Sequence, residues 1–212
     1  MTLTEVKDVV VGYSIDMTRR YRKKDSQRRP PPITAKVLRE SAVRYLDRYA
    51  PSVEQFRRVL IRKVDKTIRE RGEGSRQEAL ILVEEEIQRR IAGGELHDQR
   101  VAEDWTAYLH RQGKSVLQIR GKLYQKGIST PLINAAISTL QEERTWLAFD
   151  SAVTYARKRR FGPFRATVEE RKLRQQKDIA SMLRAGHSYA VVREIIDCLD
   201  LDELELLIQE RE

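Results

Sequence analysis

The sequence predicts an all-α chain: a tandem array of three three-helix repeats, elongated and curved, preceded by a flexible basic arm and followed by an acidic extension. Three observations carry this. Ser or Thr followed three residues later by Gln or Glu recurs at Ser52/Gln55, Ser75/Glu78, Ser115/Gln118 and Thr167/Glu170, the pattern of a capping box at a helix start. A shift of 63 residues without a gap lays segment 40–63 on 103–126 with identities that include Ser52/Ser115, Val53/Val116 and Gln55/Gln118. The apolar-polar alternation and Asn-Gly turns that hairpins need are absent.

The arm, residues 1–33, opens with an apolar patch from Val9 to Tyr13 and passes into RRYRKKDSQRRPPP; residues 1–32 hold eight Lys/Arg against four acids. Three consecutive prolines do not fit a helix interior and the basic run repels itself. It is either an electrostatic tether to nucleic acid or a plain leader.

The first repeat spans 34–94. Leu38, Ala42, Leu46 and Tyr49 mark a helix stopped by Pro51, and Ser52 opens the next with Val53, Phe56 and Leu60. Val64 to Gly74 reads as a long connection. Ser75 then opens a helix with Leu80, Val83, Ile87 and Ile91 inward, closed by Gly93.

The second repeat, 95–141, is the most sharply punctuated. Asp98 is placed to cap a helix with Val101, Trp105, Tyr108 and Leu109 inward, which Gly113 ends. Ser115 opens the next, with Val116, Ile119 and Leu123 inward and Gly127 as a left-handed stop. Thr130 as cap and Pro131 at the first helical position start a helix with Leu132, Ile133, Ala136, Ile137 and Leu140.

The third repeat, 142–199, is more diverged. Trp146, Phe149, Val153 and Ala156 line a helix that breaks at Phe161-Gly162-Pro163, and Thr167 caps a longer one running through Leu173, Met182 and Leu183 to Gly186. Aligning Gly186 with Gly127 matches Val191, Val192 and Ile196 to Leu132, Ile133 and Ile137. The extension, 200–212, carries six acids, one Arg, and Leu201, Leu204, Leu207 and Ile208 at helical spacing. It either closes the end of the array or lies over the basic body and competes with a polyanion.

The balance of the chain fits thin helical layers, with 34% charged residues in 212 and a mean hydropathy of -0.60. Formal charge is +9, and residues 33–199 alone hold 32 Lys/Arg against 22 acids. The folded body is therefore itself cationic, which points to a polyanionic partner unless those charges are merely solvated. Cys198 is alone, so no intramolecular disulfide forms and a reducing compartment is expected; its place in VVREIIDCL suits a small core residue. No apolar run of about eighteen residues and no signal-peptide pattern is found. The expectation is a soluble, cytoplasmic protein without membrane association.

Chemistry that breaks bonds finds no foothold. Neither G-x-x-x-x-G-K-[ST] nor G-x-G-x-x-G occurs, and His97, His110 and His187 lie in separate segments without metal-ligand spacing. The chain is read as a non-enzyme with no catalytic, metal or cofactor residue and no small-molecule substrate. Binding is better supported. Between Arg157 and Arg184 ten basic residues face three acids, and Phe161 and Phe164 sit among Arg157, Lys158, Arg159, Arg160 and Arg165. Such a mixture suits phosphate contact with base stacking, although the rings equally suit plugging the helix break. Arg111, Lys114, Arg120, Lys122 and Lys126 form a second basic group around a helix-helix turn. These ten residues are the expected contacts.

Gly94 to Ala102 (GELHDQRVA), Gln125 to Ser129 (QKGIS), Ala156 to Pro163 (ARKRRFGP) and Leu183 to Tyr189 (LRAGHSY) resemble bacterial RecX regulatory proteins. The resemblance covers roughly residues 35–197. His97-Asp98 stands where that family usually has two acids, and Val101 where it has Phe. The resemblance implies three tandem three-helix repeats and a partner, the RecA recombinase filament on single-stranded DNA, whose ATP hydrolysis, strand exchange and coprotease activity would be inhibited. A role in DNA repair, homologous recombination and the SOS response follows from it. The alternative from charge alone is a stand-alone helical-repeat protein that binds single-stranded or duplex DNA.

Overall fold

The computed structural model describes residues 29–143 and 147–211; the expected arm, up to residue 28, and Trp146 lie outside them. The described residues form ten α-helices and one short 3-10 turn, with no strand. In order these are α1 (Ala35–Leu46), α2 (Val53–Arg71), α3 (Arg76–Ala92), α4 (Asp98–Arg111), α5 (Val116–Gln125), α6 (Thr130–Glu143), α7 (Leu147–Arg159), the 3-10 turn (Gly162–Phe164), α8 (Val168–Arg184), α9 (Tyr189–Ile196) and α10 (Leu201–Gln209).

Three apolar clusters follow one another along the chain. The first joins α1, α2 and α3 through Leu38, Ala42, Phe56, Leu60, Val64, Val83 and Ile87. The second joins α4, α5 and α6 through Val101, Leu109, Ile119, Leu123, Ile133 and Ile137. The third joins α7, α8, α9 and α10 through Phe149, Ala156, Met182, Ile195, Ile196 and Leu204. Each fully buried Leu, Ile or Phe stabilises by about 1.5–3 kcal/mol relative to exposure, so each layer rests on a handful of side chains. Cys198 belongs to the third cluster, and burial pushes its thiol up to about 11, which makes it a core residue.

Several local expectations change. Residues 64–71 are helix, because Val64 and Thr67 continue the buried stripe of α2 against α3. Tyr49 lies beyond the end of α1 and is exposed, while Tyr108 and Leu173 also face outward. Near the end of α3 Glu86 and Arg90 are buried together with the expected Ile87, and Ile91 is exposed. Arg90 bonds Glu86 at 2.7 Å and Glu95 at 2.8 Å, and its carbonyl accepts from the Glu95 and Leu96 N–H groups, so one residue ties down the chain leaving α3. Breaking such a buried pair costs about 3–5 kcal/mol. Helix α6 begins at Thr130, with Pro131 second. Helix α10 docks its apolar side onto the third cluster through Leu204, Leu207 and Ile208, and Arg211 just beyond it stacks 4.0 Å above the Phe149 ring.

Candidate nucleic-acid and protein interface

The basic groups are placed by two seams, one between the first and second clusters and one between the second and third. Both are built from the same parts. Ser52 caps α2, accepting from the Gln55 N–H, and its hydroxyl donates across the seam to the carbonyl of Lys126, the residue before Gly127. Ser115 caps α5, accepting from the Gln118 N–H, and donates 2.6 Å across the next seam to the carbonyl of Ala185, the residue before Gly186. Gly127 and Gly186 have φ of 80° and 83°, where a left-handed residue closes a helix. They also admit the neighbouring helix. A Cβ on Gly127 would collide with the Glu54 side chain, and one on Gly186 would lie 2.7 Å from Ser115 Oγ and 3.1 Å from Leu117 Cβ.

The seams differ in their filling. At the first, Asp98 does not cap its own helix: His97 does, accepting from the Arg100 N–H at Nδ1. The Asp98 carboxylate instead accepts from the Val53 N–H at 2.8 Å and so caps α2 in the neighbouring cluster. The Lys126 ammonium sits 3.6 Å above the Trp105 ring and 3.4 Å from Gln55 Oε1, and burial lowers its pKa. Arg58 reaches the Gln125 carbonyl. At the second seam the filling is apolar and aromatic. Gly113 presses on α7, where a Cβ would lie 2.8 Å from the Tyr155 N–H nitrogen, and His187 packs 5.2 Å from the Tyr155 ring with its Nε2 unpartnered among the described residues. Burial pushes His187 down to about 4.

The ten expected contact residues fall into two patches and one exception. The close approach of Gly113 to α7 lets Lys158 Nζ donate to the side-chain oxygen of Gln112 at 2.7 Å and to its carbonyl at 3.3 Å. This brings Arg111 and Lys114 together with the exposed end of α7, Arg157, Lys158, Arg159 and Arg160. Four consecutive cations at a helix C-terminus are favoured by its dipole. Arg160 itself takes a left-handed φ of 55° and turns the chain toward Phe161. Among the described residues, Arg111, Lys114, Lys122, Arg157, Arg159 and Arg160 make no ion pair; Arg157 lies 5.5 Å from the Phe164 ring and Arg159 5.8 Å from that of Tyr155.

The second patch is α5. Lys122 and Arg120 are exposed there, Arg120 bonding Asn134, and Tyr124 is exposed one turn beyond Arg120. Lys126 is half-buried in the first seam. Arg165 is the exception: it forks onto the buried carboxylate of Asp178 at 2.6 and 2.8 Å and pairs with Glu170 at 2.7 Å, and the Asp178 bond raises its pKa further. Asp178 also accepts from the Gly162 N–H, so Arg165 fastens the break after α7 to α8. Phe161 and Phe164 pack half-buried against the third cluster at that break. Sequence reasoning missed Arg58 and the exposed Lys172, Arg174, Lys177 and Arg184 of α8. The cross-seam roles of Asp98 and the two serines were also missed, although the recurring Ser-Val pair marked their place.

Comparison with known proteins bears on the same regions. Residues 98–137 match the family model described as the second three-helix domain of RecX. The chain is 33% identical over 176 residues to the regulatory protein RecX of Myxococcus xanthus (strain DK1622), covering 83% of this chain and 92% of that protein. It is 36% identical over 96 residues to the regulatory protein RecX of Agrobacterium fabrum (strain C58 / ATCC 33970), covering 45% of this chain and 48% of that one. No solved structure matches. No helix among the described residues is long and apolar enough to cross a membrane.

Proposed function

The chain belongs to the RecX family of regulatory proteins, and from that premise we propose that it regulates the RecA recombinase by binding along the RecA filament on single-stranded DNA. Binding inhibits ATP hydrolysis, strand exchange and coprotease activity, and so tunes DNA repair, recombination and the SOS response in the cytoplasm. In this reading the repeats at 34–94, 95–141 and 142–199 form a curved row that lies in the filament groove, and no bond is made or broken by the protein. Its action is steric and electrostatic.

The observation that carries this reading is the set of cations at the second seam, exposed Arg111 and half-buried Lys114 beside exposed Arg157, Arg159 and Arg160, held without ion pairs among the described residues. Cations kept apart from carboxylates are available to phosphates or acidic protein surfaces, at an affinity that falls as salt rises. Lys122 and Arg120 extend that surface along α5. Arg165 and Lys126 serve it by positioning, since their head groups are occupied within the protein.

The test is a titration of RecA's DNA-dependent ATPase. Substoichiometric protein slows hydrolysis, and a variant with Arg157→Glu and Arg160→Glu loses that effect while keeping its helical content. No slowing at equimolar protein overturns the proposal. The exposed Tyr108 and Tyr124 next to basic residues favour a second reading, direct stacking on single-stranded DNA. Tight, steeply salt-dependent gel shifts in the absence of RecA support that reading instead.

A further inference from the structure

The two seams use one contact twice, and the chain carries the two halves of that contact a third time, without a partner among the described residues. The donating half is the start of α8. Thr167-Val168-Glu169-Glu170 follows the pattern of Ser52-Val53-Glu54-Gln55 and Ser115-Val116-Leu117-Gln118. Thr167 caps its helix as the serines do, accepting from the Glu170 N–H at 3.2 Å. Val53 and Val116 are half-buried at their seams, whereas Val168 is 51% exposed, and Leu173 beyond it is 79% exposed.

The accepting half is the end of α2. Gly72 has the left-handed φ of 71° shared by Gly127 and Gly186, but where theirs meet the next helix, a Cβ on Gly72 meets nothing within 4 Å among the described residues. The two open halves are complementary in charge. Glu169 and Glu170 stand in the first turn of α8, and Arg69 and Arg71 in the last turn of α2. Neither Glu169 nor Arg69 forms a salt bridge among the described residues, and Arg69, three residues before Gly72, lies on the same side of the helix end.

We propose that the two halves dock on each other between copies, the Thr167 end of one molecule stacking on the Gly72 end of the next as the internal seams stack. Glu169 then covers Gly72 as Glu54 covers Gly127, with Arg69 beside it. The contact joins two different surfaces and does not close on itself, so it builds linear chains whose length grows with concentration. It is weaker than the internal seams, because Glu73 is exposed where the corresponding Ile128 and His187 are buried.

Sedimentation velocity on the full-length protein at low salt tests this, from about 1 μM to several hundred μM, the range suited to an interface below standard size. The weight-average mass rises continuously above 24.8 kDa and falls back when salt is added. Gly72→Asn, which tolerates the left-handed conformation but fills the open position, and Glu169→Arg each return the protein to monomer with unchanged circular dichroism. Mixing those two variants, each keeping the half the other has lost, gives dimers and nothing longer, and combining Glu169→Arg with Arg69→Glu in one chain restores growth. A constant monomer mass across the range, a dimer that saturates, or association that both substitutions leave intact would each overturn the proposal.

Discussion

The seam between the first and second clusters and the seam between the second and third share a serine hydroxyl, a carbonyl and a left-handed glycine, yet little else. The first is filled by Glu54, Gln55, Asp98, Arg58 and Lys126; the second by Leu117, Gly113, Tyr155 and His187. The hydrogen bond and the glycine fix how closely two helices approach, and any side chains of the right volume then fill the space. Stacking geometry is thus set by two small residues, which leaves the fillers free to give each seam its own response to acid and salt.

The largest contrast is steric. Gly113→Ala drives a Cβ against the Tyr155 backbone and strains a φ of 74°, and is expected to cost about 3 kcal/mol in urea unfolding. Gly127→Ala meets Glu54 Cβ and Cγ at 2.4 Å and strains a φ of 80°; a Cβ does not swing away on side-chain rotation, so this overlap is the deeper one and costs at least as much. A clearly smaller loss at Gly127 would show that the first seam yields more easily than the second.

Acid comes next. In the unfolded chain His187 takes up a proton at its ordinary 6.5, while the buried ring resists until about 4. The unfolded state therefore binds more protons in that window, so the contribution is complete above pH 6.5 and disappears as pH falls toward 4, about 3 kcal/mol at most. Stability measured from pH 7 to 4.5 should slope downward, and His187→Leu should flatten it; an unchanged slope would remove His187 from the account.

Smaller effects test the shared parts. Ser52→Ala and Ser115→Ala each lose a cap and leave a cross-seam carbonyl without its donor, about 2 kcal/mol apiece, and near-equal melting shifts are expected. Asp98→Ala removes a cap from α2 alone, about 1 kcal/mol, and protection from hydrogen exchange should fall at the start of α2 with that of α5 unchanged.

Much of this was legible in the sequence because local signals coincide with global ones. Ser52, Ser75, Ser115 and Thr167 do cap helices, and Gly113, Gly127 and Gly186 do stop them. Stripes failed where an outward aromatic or leucine kept helical spacing with inward residues, as at Tyr108 and Leu173, and where a paired Glu86 and Arg90 took buried positions. The Val64–Arg71 stretch was misread because its many charges mask a regular buried stripe. The basic patches were visible as composition, but composition does not tell a cation left exposed, such as Arg159, from one locked to a buried carboxylate, such as Arg165. That distinction depends on Asp178, thirteen residues further along the chain.

The cap that α2 borrows from Asp98, and the bond Ser52 makes to Lys126, also set an order of events at the ribosome. Asp98 is synthesised 45 residues after Val53, and Lys126 74 residues after Ser52. At translation rates on the order of 10 residues per second, that is a wait of roughly 5–7 s. The earliest helices therefore leave the exit tunnel before their finishing contacts exist, and the first layer matures only when the second has followed it out.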